Sequence, residues 1–275
     1  MKVTKDFLQT LSIKDLTVIN KIDGIKAVIS GENKKTIIET AKRIKESELT
    51  INNNILVLNG NDIGVVKPVE MPKADKDFIS KEDMQKISKI VYKKLIKKDM
   101  ENEKYTKYVF LQDGKALWTN GYILGLNDVS ITNKIILLSK FFERKNFTEY
   151  DYTLYFIQDN DNYITYYIEN EIYIISYVYD NNRKMPEYQR VVDFKEPFEI
   201  EISKEELLKN AKENFKLENY PITKININNK EIKLNFDYLE WIISNLTEKI
   251  KIKIDTVYEY SALLLNNYAI MPLKY

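Results

Sequence analysis

Short runs of alternating apolar and polar residues recur along the whole chain, separated by turn residues and broken by a few stretches with helical periodicity. The runs 16–20 and 25–30 flank Asp23-Gly24, a pair that favours the tight turn of a hairpin. Runs 48–52 and 54–58 flank Asn52–Asn54, and 62–66 follows. Further strands are predicted at 104–111 and 115–118 around Asp113-Gly114, then at 121–126 and 129–132. Tyr- and Ile-rich strands fill 151–179, with breaks at 159–162, 169–171 and 180–182. A segment at 188–193 leads into 198–202, and short strands at 222–227, 231–234, 249–254, 258–264 and 267–271 complete the set.

Six stretches carry the 3.6-residue period instead: 2–11, 34–46, 80–98, 133–145, 204–216 and 236–246. In 80–98 the apolar stripe is Met84, Ile87, Val91 and Leu95, with Ser80 placed to cap and Asp83 at the capping-box position. Ser203 and Glu206 repeat that arrangement ahead of 204–216. Helix followed by strands, twice over, recurs three times, although no sequence repeat accompanies it. Such an order predicts an α+β fold with helices on one face of antiparallel sheets. Pro68, Pro72 and the charged run 73–77 predict a linker, with a boundary near 75.

The chain stays apolar almost to its end, in Asn266–Tyr275. Pro272 cannot continue a ladder, so Leu273, Lys274 and Tyr275 are expected to leave the sheet. Taken alone, this stretch reads as a last core strand with a short tail; the sharper alternative is one wall of a binding cleft.

Composition narrows the chemistry sharply. The 275 residues include no Cys and no His, which excludes disulfides, Cys/His metal sites, thiol nucleophiles and imidazole-based triads. Seven Gly serve the whole chain, and no phosphate-cradling glycine motif occurs. The carboxylates Asp151, Asp159 and Asp161 remain as the acids of a conceivable hydrolytic site, but they fall at strand ends and turns, where acids serve solubility. The expectation is therefore a non-enzyme with no cofactor and no metal. No apolar run approaches the ~20 residues that span a bilayer, so no membrane partner and a cytoplasmic location are expected.

The net charge of +1 conceals a segregation. Counted over 2–11, 34–45, 81–98, 134–145, 204–216 and 236–249, the helical segments total +12, which leaves −11 for the rest of the chain. Lys86, Lys89, Lys93 and Lys97 recur at spacings of three and four, opposite the apolar stripe, and Lys209, Lys212 and Lys216 repeat that geometry. A lysine-rich solvated face is common on any one helix. Four helices biased the same way point to a surface for a polyanion, held by its phosphates rather than read by sequence.

Three stretches carry a family resemblance. Asp113–Leu124 (DGKALWTNGYIL) is similar to the TDGHRLA-type segment of the bacterial DNA polymerase III beta subunit, the sliding clamp. Thr119, Gly121 and Leu124 match that segment, while Asn120, Tyr122 and Ile123 depart from it. Met185–Val192 (MPEYQRVV) resembles the family's FPDYRRVI-like segment in Pro186, Tyr188, Arg190 and Val191. The ending YAIMPLKY resembles the family's YVIMPMRL-like terminus. The resemblance covers roughly 78–275 and is weak over 1–75.

The resemblance implies a shortened, divergent clamp, of a kind that a phage or mobile element could carry. Its fold would be the DNA clamp fold: three domains of antiparallel sheet with two helices each, spanning 1–75, 76–196 and 197–275, the first and third shortened. Two such chains would close head to tail into a ring around double-stranded DNA. The residues turned towards DNA would be Lys35, Lys42, Lys86, Lys89, Lys93, Lys97, Lys140, Arg144, Lys209, Lys212 and Lys216. Peptides of DNA polymerase and clamp loader would dock in an apolar cleft between the second and third domains. Carried over by position, its walls would be Thr119, Gly121, Tyr122, Ile123, Leu124, Pro186, Val191, Ala269, Ile270, Met271, Pro272 and Leu273. Family members have a His-Arg pair where this chain has Tyr122-Ile123, which makes the cleft more apolar. A clamp-like decoy that keeps the cleft without encircling DNA is the alternative.

Overall fold

The computed structural model describes the chain apart from residues 14–16, 45, 72, 74, 99–104, 144, 161–162, 181–183, 219, 258–260 and 274–275. Arg144, Asp161, Lys274 and Tyr275 thus lie outside the described residues.

Every sheet is antiparallel, and hairpins join most neighbouring strands. Asn and Asp do most of the turning. Asp23, Asn53, Asn54, Asp113, Asn228, Asn229 and Asn266 all have φ between 49° and 64°. These residue types tolerate the left-handed region because their short polar side chains bond locally. The tight hairpins at 23–24 and 113–114 are formed as predicted.

The chain divides into two compact units, Met1–Gln85 with Arg144–Lys184, and Lys86–Glu143 with Met185–Tyr275. The first is built on a six-stranded sheet in the order Ile25–Ile29, Thr17–Ile22, Tyr173–Asp180, Tyr163–Glu169, Tyr152–Asn160, Asp75–Ile79. Its core includes Val18, Ile22, Ile29, Leu154, Ile168 and Ile175. A three-stranded sheet (Leu49–Asn52, Ile55–Leu58, Asn61–Val65) and the helices Lys5–Leu11 and Gly31–Arg43 complete it. Residues 73–77, expected as a linker, run into an edge strand: Asp75–Ile79 pairs with Tyr152–Asn160, and Pro68 forms a bridge with Ala27.

The second unit is built on an eight-stranded sheet. Its order is Ile135–Leu138, Tyr108–Gln112, Lys115–Thr119, Ile123–Asp128, Tyr268–Ile270, Leu263–Leu265, Lys249–Asp255, Pro197–Ser203. A three-stranded sheet (Lys216–Leu217, Pro221–Ile227, Lys230–Asn235) and the helices Lys204–Glu213 and Phe236–Asn245 belong to it. Strands of the expected middle segment, 76–196, thus enter both large sheets.

Helix starts follow local capping chemistry. Ser80 Oγ accepts from Asp83 N at 3.1 Å, and Ser203 Oγ accepts from Glu206 N at 3.1 Å. Asn235 Oδ1 does the same for Tyr238 N at 3.2 Å. Each satisfies an amide that the helix itself leaves open.

Several predicted elements differ. The single helix expected over 80–98 is two, Lys81–Ile90 and Lys93–Lys98, parted at the buried residues Val91 and Tyr92. Tyr92 lies 4.8 Å from Trp241 and 5.8 Å from Tyr238, ring centre to ring centre, so packing on another helix overrides local periodicity. The helix expected over 133–145 is a strand, Ile135–Leu138, followed by 3-10 turns Ser139–Glu143 and Lys145–Glu149. A short, wholly buried apolar run such as Ile135–Leu138 has no periodicity to tell strand from helix. The helix expected to reach 216 ends at Glu213, and Lys216–Leu217 is a strand. The segment 188–193 contains a short helix, Gln189–Val192.

Pairs of these elements touch: Lys5–Leu11 with Gly31–Arg43, Lys93–Lys98 with the turn Ser139–Glu143, and Lys204–Glu213 with Phe236–Asn245. In chain order, 3-10 turns stand where the fourth helix was expected.

Candidate peptide-docking and DNA-facing surfaces

Two of the three singled-out stretches meet in one sheet. Lys115–Thr119 and Ile123–Asp128 form a hairpin in which Thr119 faces Leu124. Tyr268–Ile270 lies against its second strand, with Ile270 opposite Ile123 and Ala269 opposite Leu124. Gly125 admits this arrangement. A Cβ there would stand 2.6 Å from Ile90 Cβ and 2.9 Å from Ile90 O, so the helix Lys81–Ile90 sits directly on its bare backbone. Tyr268 adds a second tie to the same helix, its hydroxyl donating to Lys89 O at 3.0 Å. Burial disfavours ionisation of that hydroxyl and raises its pKa well beyond the ordinary tyrosine range.

The turn between Thr119 and Ile123 is held from within. Thr119 Oγ1 donates to Ile123 O at 2.7 Å and accepts from Gly121 N at 3.0 Å. Asn120 Oδ1 accepts from Tyr122 N at 2.9 Å and from Ile123 N at 2.8 Å. Gly121, at φ +89°, takes the conformation that L side chains avoid. Asn120 Nδ2 donates to Tyr238 Oη at 3.2 Å, which joins the turn to the helix Phe236–Asn245. On that helix, Trp241 is the centre of an aromatic cluster, with the rings of Tyr92, Trp118 and Tyr268 centred 4.8 to 6.4 Å from its own. Burial, and then the nearby Asp237, Tyr238 and Glu240, push the Tyr92 hydroxyl up to about 12.

The C-terminal segment leaves the sheet at Pro272, as expected, and is tied on both sides of it. Met271 N donates to Tyr122 O at 2.8 Å, and Leu273 N donates to Lys233 O in the small sheet at 2.9 Å.

Burial sorts the expected cleft walls into two groups. Thr119, Ile123, Leu124, Ala269 and Ile270 belong to the core, Ile123 at 1% exposure. Gly121 and Tyr122 are exposed, Tyr122 at 57%, and Met271, Pro272 and Leu273 are half-buried. The accessible part of the expected walls on this sheet is thus Gly121, Tyr122 and 271–273. Pro186 and Val191, also half-buried, lie in a segment with local hydrogen bonds, Tyr188 N to Pro186 O and Val191 N to Tyr188 O. On the sheet, Tyr188 acts electrostatically on Lys115, at the far end of its strand from Thr119. The sheet register therefore unites the hairpin with the tail, while Pro186 and Val191 remain cleft residues by proposal.

The basic residues expected to face DNA divide similarly. Lys35, Lys42, Lys89, Lys209 and Lys212 are exposed on helices, and Lys86 is half-buried. Lys93 and Lys97 fall on the separate helix Lys93–Lys98, so the four-lysine stripe is not one continuous helical face. Lys140 sits in a 3-10 turn and the exposed Lys216 in a strand. Asp151, one of the conceivable catalytic acids, instead caps a helix: its Oδ1 accepts from Lys81 N at 2.6 Å. Asp159 lies within the strand Tyr152–Asn160. Among the described residues, no group of acids is placed to hold a metal ion, and no helix is long and apolar enough to cross a membrane.

No protein-family model and no curated protein sequence matches the chain. Solved structures do, over their full length. The DNA polymerase III beta subunit of Thermotoga maritima is 14% identical, with a TM-score of 0.58, covering 100% of this chain and 99% of that one. The Helicobacter pylori beta clamp bound to a DNA ligase peptide is 13% identical, with a TM-score of 0.59 and the same coverage. The Bartonella birtlesii sliding clamp bound to griselimycin is 11% identical, with a TM-score of 0.64 and again the same coverage. The likeness includes the first 75 residues, which the motifs did not reach. From end to end, this chain has the α+β fold of the bacterial DNA polymerase III beta subunit, the sliding clamp.

Proposed function

We propose that the chain is a DNA sliding clamp, a polymerase processivity factor that encircles duplex DNA as a head-to-tail homodimer in the cytoplasm and catalyses nothing. Peptides of DNA polymerase and clamp loader dock on the surface formed by Tyr122 and 271–273, with Pro186 and Val191 as further walls. The observation that carries this reading is the register that seats Ala269 on Leu124 and Ile270 on Ile123, within a full-length clamp fold. Three domains, 1–75, 76–196 and 197–275, remain our division of the chain.

Exposed sheet edges support the dimer. Val65, on the strand Asn61–Val65, is 77% exposed, and Leu217, on Lys216–Leu217, is 75% exposed. Apolar residues on open edges are liabilities unless covered, and these two edges are our choice for the halves of the subunit interface. Lysine contacts to phosphate would hold DNA without fixing register, which sliding requires.

Size-exclusion chromatography with light scattering tests the ring, expecting about twice 32.6 kDa. Retention on nicked circular DNA, lost when the circle is linearised, is the signature of encirclement. A strict monomer at micromolar concentration sinks the proposal. One observation favours the decoy reading: the helix expected to present Lys140 and Arg144 is not formed, Lys140 lying in a 3-10 turn. A monomer that binds clamp partners without DNA retention would establish it.

A further inference from the structure

We propose that Asn120 is a positioning residue for the docking surface, acting through Tyr122. This rests on the docking reading above.

Tyr122 is an anomaly of the hairpin. Its two neighbours in the strand, Ile123 and Leu124, are 1% and 6% exposed, whereas its own ring is 57% exposed. Its backbone is nevertheless pinned on both sides, its N–H by Asn120 Oδ1 and its carbonyl by Met271 N. With more than half of Tyr122 in water, the side chain contributes little to the core. In a docking surface the same arrangement is favourable, because little conformational entropy is left to lose when a partner packs against it. Tyrosine suits that role, with a broad apolar face and few rotatable bonds.

Asn120 sets this geometry with three hydrogen bonds. Its Oδ1 takes two backbone amides, at 2.9 and 2.8 Å, which fixes which end of the amide is oxygen. Its Nδ2 is thereby turned to Tyr238 Oη at 3.2 Å. The turn is thus anchored to a helix whose Trp241 packs on Tyr268, the first residue of the C-terminal strand. Thr119 holds the turn independently through Ile123 O and Gly121 N, so losing Asn120 leaves the hairpin closed but Tyr122 free to shift. The occupant we assign is a short, extended, apolar peptide. Tyr122 and the half-buried Met271, Pro272 and Leu273 offer apolar contact, and Pro272 offers no amide donor.

The test is a double-mutant cycle on the full chain, with the fluorescein-labelled DNA ligase peptide and griselimycin as probes. Tyr122→Ala is expected to weaken binding at least tenfold without moving the thermal midpoint, since the ring is exposed. Asn120→Ala should weaken binding about fivefold to tenfold, and Asn120→Asp, which keeps both acceptor contacts, should restore most of it. In the Tyr122→Ala background, Asn120→Ala should have no further effect on affinity. Equal losses from Asn120→Ala in both backgrounds would mean a merely structural role and overturn the inference. So would binding indifferent to Tyr122→Ala. Failure of the unmodified chain to bind either probe would overturn the docking reading itself.

Discussion

Met271 N donates to Tyr122 O at 2.8 Å, so the last residue before Pro272 is fastened to the exposed residue of the 119–123 turn. Two residues on, Leu273 N is fastened to Lys233 O. Residues 271–273 are therefore held by backbone bonds beyond the end of their strand. Removing 271–275 should lower unfolding free energy by about 2–3 kcal/mol, for two hydrogen bonds and partly buried apolar groups. Urea denaturation measures this. The single change Met271→Lys should leave the unfolding midpoint within error and abolish binding of the DNA ligase peptide.

Gly125 is the contact point between hairpin and helix. Its substitution by Ala puts a methyl group 2.6 Å from Ile90 Cβ and 2.9 Å from Ile90 O, a backbone atom that cannot turn aside. Overpacking of this kind costs roughly 1–3 kcal/mol. The midpoint in urea should fall with an unchanged slope. Truncating Ile90 to Ala in the same chain should recover less than it costs, because alanine keeps the clashing Cβ and the carbonyl stays in place.

Glu169 carries a pH dependence. Burial works against its charge, but hydrogen bonds from Lys21, Lys26 and Tyr155 outweigh it and hold the carboxyl below its ordinary value. The lysine ammonium groups lie 3.1 and 3.2 Å away, and Tyr155 Oη donates at 3.1 Å. A group whose pKa is depressed on folding stabilises above its unfolded value, near ~4.3, and loses that stabilisation as pH falls through the folded value. Glu169→Gln should cost about 1–2 kcal/mol at pH 7, discounted because both lysines are partly exposed. The difference from the unmodified chain should shrink as pH is lowered towards 3.

Asp151 should behave as a cap and not as a catalyst. Asp151→Ala removes the acceptor of Lys81 N and should cost about 1 kcal/mol of stability. Asp151→Asn should recover most of it, and neither change should alter DNA retention.

Lys209 and Lys212 are exposed on one helix, with Lys209 only 3.8 Å from Glu213 in an exposed pair of little energetic weight. The double change to Glu should shorten residence on nicked circles and weaken its dependence on salt, leaving the dimer intact. Unchanged residence would remove this helix from the DNA-facing set.

Much of the fold is legible in the chain because its causes are local. Asp23-Gly24 and Asp113-Gly114 turn where positive φ is tolerated, and Ser80 and Ser203 cap where an amide is left open. Asn266 turns the chain between Leu265 and Tyr268, which places the last strand. The pairing of the tail with the hairpin was reachable only through a family resemblance, since ladder partners 145 or so residues apart leave no local mark. Tertiary contact decided the rest. Tyr92 breaks a helix to pack on Trp241, and Ile135–Leu138 becomes a strand because the edge of Tyr108–Gln112 was open to it. Burial then divided the run 119–124 into core and surface: Ile123 and Leu124, on opposite faces of the strand, are both covered, and Tyr122 alone keeps an exposed ring. Alternation in a strand says which residues share a face, but which face meets water depends on what the rest of the chain lays over it.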